Sequence, residues 1–138
     1  MEMNQSSEPL VDVVEAGPIA VVSIRTPLLT DTRSITAVVH EVRALSGRCQ
    51  SPNILIDFHR VEHLSIAFVG EMKVVAEEVE LRGGTICCCS LRHEMRAVLE
   101  ALGLGVFYAG HSLQHAVMRH TTWLEKQNAP TARPNAVL

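Results

Sequence analysis

The sequence predicts an α/β domain built on a mixed, mostly parallel sheet of four or five strands, with one antiparallel pair leading it. Three observations carry that expectation. Short apolar, β-branched runs alternate with longer segments whose apolar residues recur every three to four positions, which is the pattern of strands separated by amphipathic helices. The first two runs are split by Gly17-Pro18, a turn signal that reads as a hairpin or tight connection. Finally, 138 residues make one ordinary domain, and at that size about two-thirds of the extended chain's surface can be buried, so the core needs neither metal nor disulfide.

The elements follow in order. Residues 11–15 and 19–25 are the leading strands. Asp31 or Thr30 caps a helix with Ile35, Val38, Val39, Val42 and Leu45 on one face, ended by Gly47. The run NILIDF at 53–58 suits a strand covered by helices. The next helix begins near Ser65, with Phe68, Met72, Val75 and Val79 as its buried stripe and Glu71, Lys73, Glu77, Glu78 and Glu80 on its wet side. Gly83-Gly84 stops it, and 85–89 is another buried strand. Ser90 is expected to cap a third helix with Leu91, Met95, Val98, Leu99 and Leu102 inward and Gly103 just past its end. A short strand at 106–108 and a helix from the Ser112 cap to about Lys126 complete the order, the helix turning Leu113, Ala116, Val117 and Leu124 inward. Segments 1–9 and 127–138 are expected to be flexible tails around a domain at 10–126.

Composition narrows the function. Hydrophobic residues make up 47% and charged residues 20%, a globular balance. A net charge of -3 removes any sequence-wide electrostatic case for nucleic-acid binding. No apolar stretch approaches the ~20 residues that span a bilayer, and the polar, acidic start is not a signal peptide. Cys87, Cys88 and Cys89 are consecutive, so they point alternately to opposite faces of a strand and cannot pair internally. Free thiols packed as small hydrophobes fit a reducing compartment, and a cytoplasmic location is expected. Without C-x-x-C spacing, and with seven histidines that form no ligand set, neither metal nor other cofactor is expected. His111 and His115 have helical spacing, but His111 precedes the Ser112 cap; His115 and His120 do not share a face.

Catalytic signatures are missing: there is no phosphate loop, dinucleotide fingerprint, zinc-protease motif or nucleophile elbow. Asp57, His59 and Ser65 contain the residue types of a hydrolase triad, yet no Gly-rich elbow accompanies Ser65. Arg92 and Arg96, with His93 nearby, read as a solvated face, and 4% aromatic content offers no stacking platform for bases or sugars.

Three ordered segments carry a family resemblance: NILID followed by V-E-H-L and a helix start, LRGGTICCCS, and LRHEMRAVLEALGLGVFY. Together with the two leading strands, Leu29 and Asp31, they resemble the STAS domain of bacterial anti-sigma factor antagonists and sulfate-transporter tails, over roughly residues 10–125. The resemblance implies a STAS-like sheet with helices largely on one face. It also implies a non-catalytic interaction module: an anti-sigma factor antagonist in a bacterial partner-switching pathway of signal transduction and transcription regulation. The implied partner is a regulatory protein such as an anti-sigma factor or serine kinase, with no direct nucleic acid and no membrane insertion, and a homodimer is left open. The surface it assigns to that partner comprises Glu62, His63, Leu64, Ser65, Ile66, Ala67, Phe68 and Glu71.

The departures from the family pattern matter more. Aligning Gly70 with the family's second glycine places Ser65 on its Asp, Ile66 on its phosphorylatable Ser, Ala67 on the next Ser and Phe68 on its first Gly. Ile66 offers no hydroxyl. Ser65 is therefore the candidate phosphoacceptor, or it is a helix N-cap and nothing more. Phe68 fits the buried stripe better than an exposed contact. Two alternatives stand beside the leading reading. One is a phosphorylation-independent scaffold or subunit of a sensory or transport complex, which Ile66 favours. The other is a small-molecule or nucleotide binder using the strand C-termini.

Overall fold

Two β-branched hexapeptides open the chain, β1 (Val11–Ala16) and β2 (Ile19–Ile24), paired antiparallel from Val11↔Ile24 to Ala16↔Ile19. Gly17 turns the chain between them at φ +63, a left-handed value that an L side chain would strain. The computed structural model describes residues 9–48, 50–101, 108–110 and 112–128. The remaining elements are β3 (Leu28–Leu29), α1 (Thr32–Gly47), β4 (Asn53–Asp57), β5 (His63–Leu64), α2 (Ile66–Leu81), β6 (Thr85–Cys89), α3 (His93–Ala101), β7 (Tyr108–Gly110) and α4 (Leu113–Asn128). Cys49, Leu102, Gly103, His111 and most of both expected tails lie outside the described residues.

The main sheet runs β1-β2-β4-β6-β7, and every pair after the first is parallel. Each crossover steps toward the same edge. Right-handed connections that never reverse direction place their helices on one face, and α1, α2 and α3 accordingly share a core with Val22, Ile54, Ile56, Ile86 and Cys88. The opposite parity of the same strands presents Ile19, Val21, Leu55 and Cys89, which α4 covers with Ala116 and Leu124. The cysteine run alternates as a strand must: Cys88 joins the three-helix side, Cys87 and Cys89 the α4 side. Helices thus lie largely on one face, with α4 on the other.

Caps follow local chemistry. The Asp31 carboxylate accepts from Ser34 N at 3.0 Å, and the Ser112 hydroxyl accepts from His115 N at 3.2 Å. Two expectations need correction. Ser90 caps no helix: it holds φ +63 at the end of β6, donates its backbone N–H to Gly110 O at 3.0 Å, and α3 begins only at His93. Val98, expected inward, is exposed, because α3 turns Met95 and Leu99 toward the core, with Leu91 buried just ahead of the helix.

Candidate functional site

The segment between β4 and α2, together with the start of α2, carries every residue assigned to a partner, and backbone bonds fix the segment's path. At the end of β4 the Asp57 carboxylate accepts from His59 N at 3.1 Å, closing an Asx turn. Val61 N then donates to Phe58 O at 2.9 Å, and the fully buried Val61 side chain anchors the loop. The two-residue β3 pairs with β5 in parallel, Leu28↔His63 and Leu29↔Leu64. Glu62 N and His63 N both reach Pro27 O, at 2.7 and 3.1 Å, and Ser65 N donates to Leu29 O at 3.0 Å. The start of α2 is therefore held by the β2–α1 connection, which is far away in sequence.

Ser65 is the N-cap of α2. Its backbone is extended (φ -89, ψ 157), and its hydroxyl oxygen accepts from Phe68 N at 3.2 Å. The positive end of the helix dipole lies beside it. Phe68 sits in the core at 1% exposure, its ring edge-on to Phe58 at 6.1 Å and 78°. It is therefore a positioning residue and no part of the surface. Ile66 points the other way, 70% exposed, with Ala67 exposed beside it. Glu62, His63 and Glu71 are exposed and Leu64 is half-buried. Of the eight residues assigned to a partner, Phe68 alone is shut inside.

Ala67 and Glu71 also line a groove of about 420 Å³ between α1 and α2, whose α1 wall includes Thr32, Thr36, His40 and Arg43. Arg43 crosses to Glu78 with two bonds, Nε at 3.0 Å and Nη2 at 3.3 Å, a bidentate pair that raises the guanidinium pKa.

Among the described residues, the candidate nucleophiles near the strand C-termini are occupied or buried. His59 Nδ1 stands 3.9 Å from Asp57 Oδ2, and the Ser65 hydroxyl is committed to its cap, so the three residues make no triad. Cys89 is fully buried with its Sγ 3.8 Å from Asp57 Oδ1; burial, then the neighbouring carboxylate, push its thiol up to about 12. Burial likewise raises Cys87 to about 11 and Cys88 beyond it. Between the sheet, α2 and α3 lies an apolar cavity of about 50 Å³ lined by Phe58, Leu64, Phe68, Met72 and Leu99, too small and too apolar for a nucleotide. Because strand order never reverses, the sheet also lacks the switch-point crevice where open α/β sheets take ligands. Among the described residues no group of three or more His, Cys, Asp or Glu could hold a metal ion, and no helix is long and apolar enough to cross a membrane.

Sequence reasoning did not find the β3–β5 ribbon or the Pro27 carbonyl that pins the site. Two-residue strands have no periodicity, and a backbone acceptor leaves no residue-type signal.

Neither a protein-family model nor a curated protein matches this sequence. Solved structures do match. An anti-sigma-factor antagonist (STAS) domain protein from Planctomyces limnophilus superposes with a TM-score of 0.71 at 17% identity, over 80% of this chain and 97% of that one. The phosphorylated form of the Bacillus cell fate determinant SpoIIAA gives 0.62 at 17% identity, over 79% of this chain and 97% of that one. The murine Solute Carrier 26 family member A9 anion transporter gives 0.63 at 14% identity, over 79% of this chain but only 18% of the transporter. Such identities speak to architecture, and it is the architecture traced above, from the leading antiparallel pair to the ribbon-held start of α2: the chain has a STAS-like fold.

Proposed function

We propose that this protein is a non-catalytic interaction module that acts as an anti-sigma factor antagonist in a bacterial partner-switching pathway, binding a regulatory protein through the first turn of α2 and the β5 loop before it. The observation that carries the reading is the N-terminus of α2. Backbone bonds from Pro27 and Leu29 hold it rigidly, while Ile66 and Ala67 face solvent from its first turn. A pre-organised exposed turn loses little entropy on binding. Support also comes from neighbours described as anti-sigma factor antagonists.

In this reading Ser65 is the phosphoacceptor. A phosphate there would add about -1.5 to -2 charges at neutral pH, stabilised by the helix terminus and opposed by the acidic side chains of Glu62 and Glu71. One observation favours a second reading, a phosphorylation-independent scaffold: Ile66, exposed in that turn, carries no hydroxyl. The likeness to a transporter's domain is compatible with it.

The test is to purify the partner from the source organism and measure its affinity for wild type, Ser65→Ala and Ser65→Asp, with intact-mass analysis of the native protein. Weakened binding by Ser65→Asp alone supports the switch. Equal affinities support the scaffold, and a partner unaffected by Ile66→Asp contradicts both.

A further inference from the structure

The main sheet ends on β1, which has a strand on one side only. The hairpin decides which of its backbone groups face the open side. The two-residue turn Gly17-Pro18 makes Ala16 and Ile19 a hydrogen-bonded pair. At the other end Arg25 N donates to Leu10 O at 2.7 Å. Bonded pairs alternate along an antiparallel ladder, so Leu10, Asp12, Val14 and Ala16 turn their N–H and C=O groups toward β2. Val11, Val13 and Glu15 therefore point theirs outward.

Edge strands are usually blunted by proline, lysine, a bulge or short length. β1 is six residues long, contains neither proline nor lysine, and pairs with β2 without a register break. Val13 and Val14 are 41% and 62% exposed. They lie on opposite faces of the sheet, since Val11 joins the three-helix core and Ala16 packs against the α4 core. The other edge, β7, has only three residues and an irregular register.

We propose that a second copy of this chain pairs its own β1 with this one, antiparallel about Val13, and joins the two sheets across a two-fold axis. Hydrogen-bond parity and charge together select that occupant and that register. Outward groups must meet outward groups, so only registers that set odd-numbered residues opposite odd-numbered ones can bond. Centred on Val13, the strand sets Val13 against the partner's Val13, Val11 against Glu15 and Asp12 against Val14. Every acid then faces a valine, and all of the outward residues bond. Sliding the copies one way opposes Asp12 to Asp12. Sliding them the other way sets Val11 against Gly17, where the chain has already turned. Asp12 also meets Arg25 within its own chain at 3.4 Å. The contact is isologous and closes at the dimer. It uses no residue of the surface assigned to a regulatory partner, so it stands or falls separately from that reading.

Sedimentation of the full chain, with residue-resolved hydrogen exchange, tests it. Wild type should pass from monomer to dimer as concentration rises and stop there. As the dimer forms, the Val11, Val13 and Glu15 amides should slow about tenfold or more, while Asp12, Val14 and Ala16, already bonded to β2, change little. Val13→Lys and Val13→Glu alter one exposed side chain, and each alone should keep the wild-type melt and weaken the dimer about fivefold or more through like charges at the axis. Mixed, they place unlike charges there and should regain the dimer. Wild type that is monomeric at every concentration, that grows past the dimer, or whose outward amides exchange in the dimer as in the monomer overturns the proposal. So does a Val13→Lys protein that dimerises more tightly than wild type, which would set Val13 opposite Glu15, and so does a variant mixture that fails to associate.

Discussion

His120→Gln should remove an acid sensitivity that the wild-type fold carries. His120 is 3% exposed, and its Nε2 lies 2.7 Å from Thr85 Oγ1. The Thr85 hydroxyl gives its own proton to Asn53 Oδ1 at 2.9 Å. The imidazole must therefore donate from Nε2, which leaves Nδ1 buried and without a partner. Protonation would bury a second N–H with no acceptor, and burial accordingly lowers the pKa from its ordinary 6.5. A histidine depressed by folding leaves stability intact above its unfolded pKa and drains it as pH falls toward the folded one. Between pH 7.5 and 5.5 the unfolded chain gains about 0.8 proton here, so wild type should lose up to about 1.4 kcal/mol that the variant keeps. Urea titrations of both proteins at the two pH values measure this, because the other histidines cancel in the comparison. Equal pH dependence in the two proteins, or a wild type that stabilises on acidification, refutes the reasoning.

Three further outcomes are expected. Ser65→Ala should lower urea stability by about 1 kcal/mol through loss of the cap, while Ser65→Asp, also a good cap, should stay within a few tenths of wild type. Gly84→Ala should destabilise by about 3 kcal/mol in the same titration, because its Cβ would collide with the Pro52 carbonyl oxygen, which is fixed by Thr85 N at 2.8 Å. Mass mapping after Ellman's reagent at pH 8 should find Cys88 and Cys89 unmodified until the protein unfolds, and Cys87 slow, since burial suppresses all three thiolates.

What could be read from the sequence was what neighbouring residues decide. Ser65 declares itself a cap because the hydroxyl and the N–H it meets are three residues apart, and the inward turn of Phe68 follows from its spacing with Val75 and Val79. Ser90 shows the limit of that logic. A serine before an apolar periodic run is a cap signal, but β7 draws the chain into a left-handed residue first, and the helix starts three residues later. His120 was hidden for another reason: only α4's position on the second face of the sheet, over Thr85, buries it.

Hydrogen exchange of the protein with and without its purified partner tests the central proposal most directly, because amide protection reports where contact occurs. The proposed site predicts new protection over residues 62–71, centred on the first turn of α2, with the β3–β5 ribbon already slow in the free protein through its bonds to Pro27 and Leu29. Protection confined to α4, the β1 edge or the strand C-termini, with residues 62–71 exchanging as in the free protein, would contradict it.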